Sequence, residues 1–218
     1  MSKQTIWQRL KAKGFSDIAV AAIMGNLEAE SNCISNRLQG DFTKGYQRSE
    51  QYTAQVDAGN INRHEFVYDG PGGGGYGLAQ WTYQPRKAGL YDLAKKMGTS
   101  IGDEGMQIEW LCQELQQSEY KTVLATLMAS PSIRECSDII VKNFERPRDQ
   151  SEAVLKQRAE FGRAMYQEFS NGEAEDPGGI PDDTTIRITE EDFKIYTKAV
   201  LAVKMLRDLI ALIKEIQE

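Results

Sequence analysis

The chain has one histidine, His64, and three cysteines among 218 residues. A single imidazole cannot build H-E-x-x-H or any multi-histidine metal centre, and no C-x-x-C pair suggests zinc, so no metal is expected. Cys33, Cys112 and Cys136 are widely spaced and odd in number. They read as small buried hydrophobes rather than a disulfide framework. G-x-S-x-G is missing, which removes a serine-hydrolase elbow. No stretch reaches the roughly 18 apolar residues of a membrane span. A basic surplus is lacking too: 26 Lys and Arg face 32 Asp and Glu, a net charge of −6. Duplex-binding proteins normally carry a basic face, so no nucleic-acid partner is expected.

What is present describes a globular chain, 40% hydrophobic and 27% charged. Its length allows one domain with an appendage. The acidity lies in the appendage, because residues 171–218 hold 6 basic and 11 acidic side chains. Three segments are expected. Residues 1–170 carry helical patterns at about 6–13, 17–31, 86–97, 104–117, 120–129, 132–144 and 151–169, with Ser16 and Ser132 as N-caps and Glu135 completing a capping box. Between them, residues 32–74 lose helical periodicity and read as loops and short strands. Residues 171–188 form an acidic Gly/Pro linker. In residues 189–218, Ile195, Ala199, Ala202, Leu206, Leu209, Ile213 and Ile216 alternate four- and three-residue spacings, the seam of an amphipathic helix.

The stretch DGPGGGGYGLAQW, Asp69 to Trp81, satisfies G-x-G-x-x-G through Gly72, Gly74 and Gly77. A dinucleotide turn needs a strand before it and a long helix after it. Pro71 and Pro85 interrupt both, and nothing downstream alternates strand with helix. Cys33 and His64 could form a cysteine amidase pair, but nothing around either residue supports one. No cofactor is implied. What remains is carboxylate chemistry. In IMGNLEAESN, Ile23 to Asn32, Glu28 and Glu30 are two residues apart, about 200° round a helix, so they cannot serve one site. Glu30 continues the stripe of Ile23 and Leu27, whereas Glu28 faces elsewhere, near water. Apolar neighbours and the negative end of the helix dipole both favour the protonated form that a general acid needs.

Glu30-Ser31 at a helix end, followed by Gly75-Tyr76-Gly77-Leu78-Ala79-Gln80-Trp81-Thr82, resembles the lysozyme superfamily. The nearest branch is the phage tail-type lysozyme domain, related to goose-type lysozymes and lytic transglycosylases. FERPRDQSEAVLKQRAEF, Phe144 to Phe161, is similar to that branch's last helices, so the resemblance covers about residues 4–170. It implies a mostly α (α+β) lysozyme-like domain with a small irregular β region, followed by the linker and C-terminal helix. It also implies a peptidoglycan hydrolase that cleaves the β-1,4 bond between N-acetylmuramic acid and N-acetylglucosamine, with Glu30 as the acid. Tyr76, Gly77, Gln80 and Trp81 would line the floor of the sugar cleft. The second carboxyl would be Asp69, with Asp41 in reserve, and Thr82 would help orient a water in an inverting reaction. Pro71 stands where goose-type relatives carry their aspartate, and Thr82 where they carry a further one. A lytic transglycosylase and a non-catalytic phage structural or wall-binding module stay open as alternatives.

The partner implied is the bacterial glycan strand. The first residues, MSKQTIWQRLKAKG, lack the apolar core of a secretory signal. Synthesis in the host cytoplasm and phage-dependent delivery to the wall are therefore expected, as an endolysin or a virion-associated lysin. The C-terminal helix is expected to join copies of the chain, because a heptad seam does not stay in water and a lone helix of this length is marginal. Light scattering on the full chain should give an oligomer that is lost when the chain ends near Ser170. A monomeric full chain would count against it.

Overall fold

The computed structural model describes residues 2–40, 47–69 and 74–170, with only the backbone of Gln47 and Asp69. Asp41, the side chain of Asp69, Gly70 to Gly73, the linker 171–188 and the helix 189–218 lie outside the described residues.

Helices dominate: α1 (Lys3–Ala12), α2 (Asp17–Ser31), α3 (Gln47–Asp57), α4 (Gln84–Met97), α5 (Glu104–Leu115), α6 (Lys121–Ala129), α7 (Ile133–Ile140) and α8 (Glu152–Phe169). Among the described residues, no helix is long and apolar enough to cross a membrane. Pairing of extended backbone among the described residues is confined to the bridges Leu38–Tyr76 and Tyr76–Trp81.

Helix α2 is the axis of the domain. Ser16 caps it, its hydroxyl accepting from Ala19 N at 3.1 Å, with Asp17 in the first turn. Every residue from Ala19 to Leu27 is buried. The sequence suggested one apolar stripe, yet the helix is enclosed on all sides, as a helix apolar all round must be. Around it, α8 buries Leu155, Ala159, Gly162 and Met165, and with them Arg158. α7 packs against both. Where α2 meets α8 the backbones touch. A Cβ on Gly25 would lie 2.5 Å from Gly162 N and 2.6 Å from the Arg158 carbonyl oxygen.

Residues 32–74 depart from expectation, because α3 lies among them. Its buried face is Ser49, Tyr52, Thr53 and Val56, at helical spacing but half polar. Ser49 Oγ accepts from Leu38 N at 3.0 Å, and Thr53 Oγ1 donates to the Ser49 carbonyl at 2.8 Å. Hydrogen bonds carry that face, so a search for apolar periodicity passes over it. A π-helical turn follows at Glu65–Asp69. The helix expected over 132–144 also divides. Its N-cap forms, Ser132 Oγ accepting from Glu135 N at 3.1 Å and donating to Glu135 Oε2 at 3.1 Å, but after Ile140 the chain widens into a π-helical turn, Val141–Glu145. Arg146 closes that turn at φ 51°, and Pro147 prevents continuation.

Gly25→Ala should cost about 1–3 kcal/mol, because its methyl group meets backbone that no rotamer change can clear. Thermal melts check this, and a wild-type melting temperature would disprove the close crossing.

Candidate active site

Glu30 lies one residue from the end of α2, its side chain 18% exposed. The chain turns immediately after it, Asn32 and Cys33 both taking positive φ of 56°. Asn32 N donates back to the Glu28 carbonyl at 2.9 Å. Ser31, fully buried, faces inward, its Oγ donating to the Leu27 carbonyl at 3.1 Å and to the Leu78 carbonyl at 2.8 Å. That second bond ties the glutamate's helix to the glycine turn.

The turn is closed by reciprocal bonds: Tyr76 N to Trp81 O at 3.2 Å and Trp81 N to Tyr76 O at 3.0 Å. Gly77 takes φ 80°, and a Cβ there would fall 2.6 Å from Gln107 Oε1, so only glycine fits. Gln107 is buried on α5 and holds three segments. Its Oε1 accepts from Leu78 N at 2.8 Å, and its Nε2 donates to the Ser35 carbonyl at 2.6 Å and the Ile101 carbonyl at 2.8 Å. Gln80, at φ 44°, donates from Nε2 to the Arg37 carbonyl at 3.1 Å and the Gly77 carbonyl at 3.0 Å.

The rings of Tyr76 and Trp81 turn away from solvent, at 0% and 1% exposure. Tyr76 Oη pairs with Thr53 Oγ1 at 2.6 Å, and Trp81 Nε1 donates to Glu114 Oε2 at 2.6 Å. Both rings support the turn from behind. Thr82 is exposed, its Oγ1 donating to the Gln80 carbonyl at 2.9 Å. Asp69 closes the π turn that precedes the glycines.

Glu30 meets a cation that the sequence reading did not include. Arg158 Nη2 on α8 donates to Glu30 Oε1 at 2.6 Å, and its Nη1 donates to Asn26 Oδ1 at 3.3 Å. A second buried pair lies nearby. Arg86 Nε and Nη2 donate to Glu114 Oε1 and Oε2 at 2.6 and 3.1 Å, and Nη1 donates to the Phe144 carbonyl at 3.3 Å. Burial holds the Glu114 carboxyl above the usual carboxylate range, against the opposing pull of Arg86 and Trp81. The sequence does hold a signal for such residues. Arg158 interrupts the apolar stripe of α8, and Gln107 and Glu114 occupy buried positions of α5.

Glu28, expected near water, is as shielded as Glu30 at 18% exposure, and Lys3 Nζ meets its Oε1 at 2.8 Å. The partners confirm that the two glutamates serve different faces, α1 for Glu28 and α8 for Glu30. Burial, then the neighbouring Glu28, pushes the Cys33 thiol up, and the His64 ring lies tilted against Tyr68 with centroids 4.8 Å apart; neither favours a cysteine–histidine pair. A pocket of about 420 Å³ opens over Cys33 to Asn36, Thr53 and Glu104, and Glu30 does not line it.

At the end of the buried axis of this helical domain, Glu30 is thus tied through its neighbour Ser31 to a Gly-Leu-Ala-Gln turn. The family model described as phage tail lysozyme matches residues 2–169, and the chain belongs to that family. Its theme is therefore that of a phage lysozyme, acting on peptidoglycan. No curated protein matches the chain.

Ser31→Ala should cost about 1–3 kcal/mol, since it leaves the buried Leu78 carbonyl without its donor. Lytic rate should fall further than this loss of folded protein explains, because the turn is released from the helix carrying Glu30. Turbidity clearance measured beside thermal melts separates the two effects.

Proposed function

We propose that the chain hydrolyses the β-1,4 bond between N-acetylmuramic acid and N-acetylglucosamine, with Glu30 as general acid. The observation carrying this reading is the Ser31–Leu78 hydrogen bond, which sets the end of α2 against the glycine turn where a sugar chain would lie. Glu30 donates its proton to the glycosidic oxygen as the bond to the anomeric carbon breaks. Water adds to that carbon from the opposite face, its proton passes to the second carboxyl, and Glu30 regains a proton from solvent.

Asp69 is the proposed second carboxyl, with Asp41 in reserve, and Thr82 is proposed to orient the water. Gln80 is proposed to meet the glycan directly, and Gly77, buried against Gln107, to shape the turn beneath it. The buried rings of Tyr76 and Trp81 are proposed to act by holding that backbone in place. Inversion is the expected outcome, with carboxyls separated by about 6.5–9.5 Å rather than the roughly 5–5.5 Å of a retaining enzyme. The enzyme would work after phage-dependent delivery to the wall, at lysis or from the infecting particle.

Glu30→Gln should keep the fold and lose about 10²–10⁴-fold in rate, because an amide has no proton to give. Glu28→Gln should stay near wild type in lytic rate, because Glu28 pairs with Lys3 of α1 and not with the groups around Glu30. Lysis assays on purified peptidoglycan check both, and equal behaviour of the two variants would refute the assignment. NMR and mass spectrometry of the product should find fresh α-anomer with ordinary reducing ends. A dominant 1,6-anhydro sugar would identify a lytic transglycosylase instead.

A further inference from the structure

Lys87 lies near the start of α4 and is only 2% exposed. Its Nζ donates to the Gly74 carbonyl at 3.4 Å and stands over the Phe66 ring, 4.9 Å from the centroid. The two contacts belong to different segments, Phe66 to the π turn Glu65–Asp69 and Gly74 to the start of the glycine turn. One buried ammonium therefore joins both.

No carboxylate among the described residues meets that ammonium. The acids of the surrounding elements are engaged with other groups. Glu65 of the π turn accepts from Asn62 N, and Asp92 of α4 pairs with Arg63. On α5, Glu104, Glu109 and Glu114 pair with Arg9, Lys13 and Arg86. Burial without a counter-ion pushes the Lys87 ammonium down to about 8. The charge therefore costs the fold stability near neutrality. That cost is relieved as pH rises from about 8 towards the ordinary lysine value of 10.5, where the folded chain has released its proton and the unfolded chain has not. A methionine would fill the same space without the charge.

What the charge provides is a hold on one peptide unit. The Gly74 carbonyl and the Gly75 N–H belong to the same amide, and Gly75 N donates to Gln39 Oε1 at 2.8 Å. Lys87 and Gln39 thus grip that amide at its two ends. Directly against it lies Gln80, since a Cβ on Gly75 would fall 2.5 Å from the Gln80 carbonyl oxygen.

We propose that Lys87 is a positioning residue for glycan binding: its buried ammonium holds Gly74 to the π turn, and the glycine backbone so held sets Gln80 against the glycan. This rests on the reading that Gln80 meets the glycan. Lys87 acts through the turn without touching substrate. Charged, it gives a charge-assisted hydrogen bond to Gly74 and is attracted to the face of Phe66; neutral, it loses most of both. Binding should therefore be firm below about pH 8 and weaken above it.

The test uses the full chain carrying Glu30→Gln, with and without Lys87→Met, and follows retention on purified peptidoglycan between about pH 6.5 and 9.5. With Lys87 present, affinity should fall about tenfold across a midpoint near 8. With Lys87→Met it should be weak and flat over the same range, while the melting temperature at neutral pH stays level or rises. A residue that only supports packing would lower the melting temperature and leave the pH dependence of binding in place, which would overturn the proposal. The second readout needs neither substrate nor a variant. In wild type, the NMR amide signals of Gly75 and Gln80 should titrate together with Lys87 Nζ. Amide signals that ignore the lysine would overturn the hold on the turn, and this decides if Lys87→Met fails to fold. Absence of peptidoglycan binding at every pH, with the amide titration intact, would remove the glycan reading instead.

Discussion

Two helices meet at Gly25 and Gly162 with no side chain between them, and the candidate site depends on that contact. Because α8 reaches the backbone of α2 there, the residue one turn earlier on α8 is brought under the last turn of α2. That residue is Arg158, which places a guanidinium against Glu30 and Asn26. A wider crossing would draw the cation away from Glu30, and water would replace it. Close packing here sets charge geometry as well as stability.

The second dependence runs through buried hydrogen bonds. Ser31 spans from α2 to the glycine turn, and Gln107 spans from that turn to two further segments. None of these segments is a strand of a sheet, so no ladder fixes the irregular region. Single side chains do that work, each satisfying backbone groups that would otherwise be buried without partners. The rings of Tyr76 and Trp81 fill the space behind, and their polar atoms are spent on Thr53 and Glu114.

Much of this could be read from the sequence, because it is local. Ser16 and Ser132 cap the helices they precede, and the two glutamates of α2 take different partners on different faces, as a two-residue separation requires. Glu30 with the GLAQ string gave the family. Arg158 escapes a reading of the sequence, because its partners on α2 meet it only when α8 packs there; in the sequence it is an arginine on an apolar stripe. Helix α3 was missed for a related reason, since polar side chains that hydrogen-bond inward carry half of its buried face.

The ion pair at Glu30 also has an order in time. Glu30 and Arg158 are separated by 128 positions. A ribosome working from the N-terminus releases Glu30 early and its counter-ion only when nearly all of the domain has been made. Until α8 docks, α2 lacks one of its walls and Glu30 has no cation beside it. The ion pair therefore completes late in synthesis, and a chain broken off before α8 carries Glu30 without its counter-ion.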